Sequence, residues 1–189
     1  MIVSGPSGVG KSTVCRRLAE RLDALLSVSM TTRPRRPAEV DGQAYWFVSH
    51  DEFRRRIDEG RMLEYAEVYG GHLYGTPAEP VLEALEAGRV VLLEIEINGT
   101  VQVKRRLPEA IGVYMLAPSP EDQKNRLEGR RQDSAAAMAE RLSKADGEIR
   151  YAQECGAYSH FVVNREIEET VDALARIVAE TRARAVGRT

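Results

Sequence analysis

The sequence predicts an α/β protein, a mostly parallel sheet covered by helices on both faces. Three observations carry this. Short apolar segments alternate with segments of helical periodicity along the chain. Residues 90–97 are near-continuously apolar, interrupted by Glu94 and Glu96, as in a central parallel strand. A glycine-rich loop stands between the first strand and the first helix.

Met1-Ile2-Val3-Ser4 forms a short buried strand. Gly5-Pro6-Ser7-Gly8-Val9-Gly10-Lys11-Ser12 then fits the phosphate-binding pattern G-x-x-x-x-G-K-[ST]. Val14, Cys15, Leu18, Ala19 and Leu22 recur at helical spacing, so a helix runs from Lys11 to about Leu22. Strand, glycine loop and helix together are the context that motif requires. The glycines let successive N–H groups curl inward onto an anion, and the helix adds the positive end of its dipole. Lys11 is suited to β- and γ-phosphates and the Ser12 hydroxyl to Mg²⁺. The loop implies a nucleoside triphosphate and leaves the acceptor open.

Residues 25–29 read as a second short strand. Residues 30–37 hold Arg33, Arg35 and Arg36 beside Pro34 and Pro37, so they read as a loop. Tyr45-Trp46-Phe47-Val48 reads as a strand, aromatic and β-branched. Ser49 with Glu52 forms a capping box for a helix that turns Phe53 and Ile57 inward and stops at Gly60. Residues 62–69 alternate as a strand, with Met62, Glu64, Ala66 and Val68 on one face and Leu63, Tyr65, Glu67 and Tyr69 on the other. Gly70-Gly71 is a turn leading to His72-Leu73-Tyr74-Gly75. Residues 30–76 thus form a small strand-rich insert. Pro77 suits the first turn of a helix ending at Gly88. A helix through Val101 and Val103 ends before Pro108, and 111–116 is another buried strand. Helices follow at about 120–129 and 134–150, then a strand at 160–163. A final helix carries Ile167, Val171, Leu174 and Val178.

Composition narrows the function. With 189 residues, 43% hydrophobic and 30% charged, the chain has enough apolar matter for one cored domain with small inserts. A net charge of -2 gives no reason to expect a nucleic acid or an anionic membrane as partner. The apolar runs are too short to span a bilayer, and no secretory leader is visible. Cys15 and Cys155 make no disulfide framework, and the expected compartment is the reducing cytoplasm.

The chain resembles the guanylate kinase family over nearly its whole length. The resemblance rests on residues 4–12, on Ser29 with Thr31-Thr32-Arg33-Pro34-Arg35-Arg36, and on Tyr45-Trp46-Phe47-Val48. It continues through Glu64, Tyr74-Gly75-Thr76, Glu94-Ile95-Glu96 with Gly99, Arg126 to Arg130, Arg141 and Asn164. It implies a P-loop NTPase fold and transfer of the ATP γ-phosphate to GMP or dGMP, in purine nucleotide metabolism. It divides the chain into a core of 1–29, 77–120 and 142–189, a GMP-binding insert of 30–76 and a helical lid of 121–141.

The resemblance implies roles as well. Gly5, Pro6, Ser7, Gly8, Val9, Gly10, Lys11, Ser12 and Thr13 would bind ATP, with Ser12 on Mg²⁺ and Asn164 near the adenine. Arg33, Arg36, Tyr45 and Tyr74 would hold the GMP phosphate, as guanidinium forks and phenol hydroxyls can. Glu64 would read guanine with Ser29 and Thr76 in support, since one carboxylate can accept from the ring N1–H and the exocyclic amine together. Glu94 and Glu96 would sit near the acceptor ribose and metal. Lys11, Arg36, Arg126, Arg130 and Arg141 would stabilise the transferring phosphoryl group. The chain departs from the family where Glu96 replaces the usual Asp, at Ile97-Asn98, at Arg131 and at Arg165. Two other readings stand beside this one. One is a relative acting on a modified guanine nucleotide. The other is a non-catalytic scaffold module, against which the intact Gly10-Lys11-Ser12 counts.

Overall fold

The computed structural model describes the backbone of residues 1–128 and 135–187; at 68, 69, 127, 128, 135–144 and 186 it describes the backbone alone. Five parallel strands form the main sheet: β1 (Ile2–Ser4), β2 (Leu25–Leu26), β7 (Val91–Glu94), β8 (Gly112–Leu116) and β9 (His160–Val163). Their order is β2-β7-β1-β8-β9, which puts the strand before the glycine loop at the centre. The alternation of side chains across a pleat explains the two cores. Val3, Leu92, Val113 and Met115 face α1 (Lys11–Leu22) and α7 (Ile167–Val186), packing on Val14, Leu18, Val171 and Leu174. Ile2, Val91, Leu93 and Ile95 face the opposite way, onto Val81 and Ala84 of α3 (Ala78–Glu86) and Val103 of α4 (Ile97–Arg106).

A second sheet of four short strands runs β4 (Trp46–Phe47), β3 (Met30–Thr31), β6 (His72–Pro77) and β5 (Met62–Val68). It packs on α2 (His50–Asp58) through Met30, Met62 and Phe53. Two further helices, α5 (Pro120–Glu128) and α6 (Ala135–Glu154), lie between β8 and β9 in the chain.

The expected elements are present, with four differences. Met30–Thr31 is a strand inside the small sheet rather than loop, because the prolines begin only at Pro34. The strand expected over 25–29 ends at Leu26. Only half of the capping box forms: Ser49 accepts from the Glu52 N–H, while the Glu52 carboxylate is taken by Arg55 and Arg56. The fourth difference matters for function. Met62 pairs with Pro77 and Glu64 with Thr76, so Leu63 is an extra residue, a β-bulge. A bulge reverses the parity of the pleat, so Glu64 lies on the opposite face from Met62, contrary to the alternation expected from sequence. Met62 joins the apolar layer under the sheet, and Glu64 shares its face with Thr76, Ala66 and Tyr74.

Gly112 opens β8 hard against the chain after α6, and a Cβ there would overlap the Ala157 carbonyl oxygen. Gly112→Ala is therefore expected to destabilise the protein by about 2 kcal/mol, the cost of moving packed backbone, as measured by urea unfolding.

Candidate active site

The loop after β1 is built for an anion. Gly5, Gly8 and Gly10 have φ of 150°, 86° and 92°, values that side chains other than glycine rarely adopt. Gly10 is the N-cap of α1 and provides no side-chain cap, so the first N–H groups of the helix are left for a ligand. The loop's carbonyls are held from outside. Gln123 Nε2 donates to Ser7 O at 2.8 Å, and Asn164 Nδ2 donates to Val9 O at 2.8 Å. A trans peptide points its N–H opposite to its C=O, so these bonds turn the Gly8 and Gly10 N–H groups the other way. Lys11 Nζ lies across the loop, donating to Gly5 O at 2.5 Å and Pro6 O at 3.1 Å.

Beside the loop opens a cleft of about 640 Å³ between the two sheets, at the carboxyl ends of the parallel strands. It brings together Lys11, Ser12, Ser29, Tyr45, Glu64, Tyr74, Glu94 and Glu96, all expected site residues. Ser12 Oγ donates to Glu94 Oε1 at 2.7 Å. Among the described residues, no group of three or more His, Cys, Asp or Glu could hold a metal ion. Two hard oxygen donors side by side at a phosphate cradle nevertheless fit Mg²⁺, which takes few protein ligands and completes its shell with phosphate and water.

Glu64 is 6% exposed. Thr76 Oγ1 donates to its Oε1 at 2.7 Å. Its Oε2 lies over Gly99 of α4, where an added Cβ would stand 2.5 Å away. Burial pushes its carboxyl up to about 7, opposed by the Thr76 hydrogen bonds and helped by the nearby charge of Glu96.

Arg33 stands beside Tyr45 and Tyr74 and is already engaged. Its Nη2 and Nη1 donate to Glu39 at 2.7 and 3.1 Å, its Nε donates to Tyr74 Oη at 3.1 Å, and its guanidinium carbon lies 5.6 Å from the Tyr45 ring centroid. The rings of Tyr45 and Tyr74 meet edge to face at 5.7 Å. Arg36 lies on the exposed part of this loop, where its backbone N–H donates to Glu39 Oε2 at 2.8 Å.

Other expected residues lie outside the cleft. Asn164 is 2% exposed, its amide shared between Val9 O and the Thr170 hydroxyl, so it braces the phosphate loop from beneath. Arg126 of α5 donates to Asn164 O at 3.1 Å and more weakly to Arg165 O and Val9 O. Thr13 is exposed on α1. Arg130 lies outside the described residues, and of Arg141 only the helical backbone is described.

Sequence reasoning missed Arg16, Glu39, Gln123 and Gly99's steric role. Arg16 lines the cleft and stands four residues after Ser12, so helical spacing alone could have found it. Nothing local distinguishes Glu39 or Gln123 from surface polar residues.

The guanylate kinase family model matches residues 1–181. A guanylate kinase of Thermus thermophilus is 48% identical over 182 residues, covering 96% of this chain and 81% of its own. One from Trichodesmium erythraeum is 44% identical over 179 residues, covering 94% of each. The crystal structure of guanylate kinase from Anaplasma phagocytophilum superposes with a TM-score of 0.74 at 32% identity, covering 95% of this chain and 83% of that one. The chain belongs to the guanylate kinase family.

The position of Glu64 makes a stability prediction. Folding raises its pKa from 4.5 to about 7, so the folded state binds the proton more tightly than the unfolded one. Stability is then lost as pH rises from about 4.5 to 7, and the full cost, about 3 kcal/mol, is present above 7. Glu64→Gln is expected to raise the ligand-free Tm by several degrees at pH 8 and to change it little at pH 4, by scanning calorimetry.

Proposed function

We propose that this member of the guanylate kinase family, which phosphorylates GMP with ATP, holds its two nucleotides head to head across the cleft between the sheets. The observation that carries the assignment is Glu64: a buried carboxylate turned into the cleft, with acceptor capacity left over after Thr76. Burying such a group is costly unless a ligand hydrogen-bonds it. Guanine has two adjacent donors to offer; adenine has no such pair.

On the donor side, the main-chain N–H groups of 5–13 and Lys11 take the ATP phosphates. Ser12, with Glu94 behind it, would hold Mg²⁺. Bound there, that ion would supply Lewis-acid stabilisation of the phosphate charge. On the acceptor side, Arg33, Arg36, Tyr45 and Tyr74 hold the GMP phosphate. Glu39 fixes the Arg33 fork in advance, so little side-chain freedom is lost when the phosphate arrives. Ser29 and Thr76 support the base, and Glu96 faces the acceptor sugar.

The acceptor oxygen is already anionic, so no general base is needed. The protein supplies in-line placement and positive charge. Lys11 is the cation of the donor cradle. Lys11 leaves the Gly5 and Pro6 carbonyls for the phosphates, because a charged partner outcompetes a neutral one. Arg126, Arg130 and Arg141, in the lid of 121–141, close over ATP and exclude water, which would otherwise take the phosphoryl group. The insert of 30–76 is the acceptor unit, and the remainder is the core. Asn164 acts on ATP through the loop it braces.

A coupled ADP-release assay tests this. GMP is expected to be preferred over AMP by roughly 10⁴-fold in kcat/KM, as for sites built to bond a group that the rival lacks. Glu64→Ala is expected to cut kcat/KM for GMP at least a hundredfold while KM for ATP stays within about twofold. Unchanged GMP kinetics in that variant would refute the assignment.

A further inference from the structure

Glu64 faces the cleft only because β5 carries its bulge at Leu63. In an unbulged strand Glu64 would share the side of Met62, in the apolar layer with Met30 and Phe53. A one-residue change of register sends a side chain to the other face of a sheet, so something must choose this register. β5 is an edge strand of the small sheet, with its outward peptide groups unpaired by any strand.

Helix α4, of the main sheet, meets those groups. Arg106 Nη1 donates to the carbonyl of Met62, on the bulge. Gln102 binds Tyr65 through both of its amide atoms: Nε2 donates to Tyr65 O at 2.9 Å, and Oε1 accepts from Tyr65 N at 3.2 Å. The extra residue, Leu63, is buried in the same apolar group as Val103. One turn earlier, Gly99 leaves the space that the Glu64 carboxylate occupies. Gly99, Gln102, Val103 and Arg106 form one stripe of the helix, at spacings of three and four. The contacts to Met62 and Tyr65 are main-chain contacts on either side of Glu64. They fix the strand's register without touching the carboxylate.

We propose that Gln102 and Arg106 are positioning residues for base selection: they lock the bulged register of β5 against α4 and so aim the Glu64 carboxylate into the cleft. This rests on the reading of Glu64 as the base reader. The two hydrogen bonds between Gln102 and Tyr65 make Gln102 a lateral extension of the sheet, and Arg106 satisfies the outward carbonyl of Met62 where the bulge begins. Because Glu96 is the N-cap of α4, the same helix that opens beside the acceptor sugar also sets the depth of the base reader. Without the clamp, the strand samples registers in which the carboxylate no longer meets both guanine donors, and selectivity falls before turnover does.

The test is the preference for GMP over IMP, which keeps the ring N1–H and lacks the exocyclic amine. Gln102→Ala and Arg106→Ala are each expected to lower the ratio of kcat/KM values roughly tenfold, through KM for GMP, with KM for ATP unchanged. Gln102→Glu, which keeps the size and loses the donor to Tyr65 O, is expected to do the same. Arg106→Lys, which retains a donor for the one carbonyl, is expected to keep the wild-type ratio. Glu64→Gln serves as the reference and is expected to abolish most of the preference. If Glu64→Gln abolishes it while the Gln102 and Arg106 variants keep the wild-type ratio, the clamp is overturned and the base reader stands. An equal loss of turnover with GMP and IMP, at constant ratio, also overturns the clamp. If Glu64→Gln itself keeps the ratio, the base-reader assignment falls instead.

Discussion

A peptide group cannot turn its N–H toward a ligand without turning its C=O away, and that constraint organises the donor half of the molecule. The loop after β1 offers N–H groups to an anion, so its carbonyls must find partners elsewhere. Gln123 takes Ser7 O, and Asn164 takes Val9 O with Arg126 beside it. Thr170 holds the other end of the Asn164 amide. The cradle is thus fixed from three directions, by α5, by the chain after β9 and by α7. Only the glycines' positive φ values let one short loop satisfy all of them. Two of these braces stand on α5, the root of the segment assigned as lid, so loop and lid root share one hydrogen-bonded layer.

On the proposed assignment, the acceptor half meets a different constraint. Its ligand is anionic at one end and a hydrogen-bond donor at the other, so the cleft must hold cations and carboxylates a few ångströms apart without letting them pair away. Arg33 is held by Glu39 through both Nη atoms and by Tyr74 Oη through Nε, with Tyr45 beside its guanidinium, which sets its plane. Among the described residues, Glu64 meets no arginine, and the hydroxyl of Thr76 donates to it. Its raised pKa follows first from burial and then from the charge of Glu96. A base with two donors offsets the larger cause, by replacing lost solvation with hydrogen bonds to the ionised form.

The fold was legible because its signals are local. The short apolar runs at 1–4, 90–97 and 111–116 named the central strands. The phosphate loop was legible because glycine spacing and a lysine at fixed offset leave few alternatives. Tyr45, Tyr74 and Glu64 were legible only through resemblance, since a lone tyrosine or glutamate in a strand carries no ligand signal. The bulge was not legible at all. Met62-Leu63-Glu64 has no glycine or proline to mark it, and its cause lies forty residues on, in Gln102 and Arg106. Strict alternation placed Glu64 on the face of Met62, whereas it reaches the cleft by leaving that face.

Glu96 shows what the small sheet's attachment to α4 implies for the reaction. It is the N-cap of that helix, and its carbonyl is held by the Thr100 N–H at 2.9 Å and hydroxyl at 3.1 Å. Thr100 is in turn bonded to Ser4, the last residue of β1, at 2.8 Å. Ser4 also donates to Ile95 O at 2.7 Å. A continuous set of hydrogen bonds therefore runs from the strand that launches the phosphate loop to the helix that bears on the base reader. Donor cradle and acceptor selector are referenced to one rigid element pair rather than to each other across open solvent. In-line transfer needs the two phosphates aligned within a fraction of an ångström, and a shared frame meets that demand without any direct contact between the two sites. The extra methylene of Glu96 extends into the cleft from a backbone held at both ends, so its length changes where the carboxylate reaches while the frame stays put.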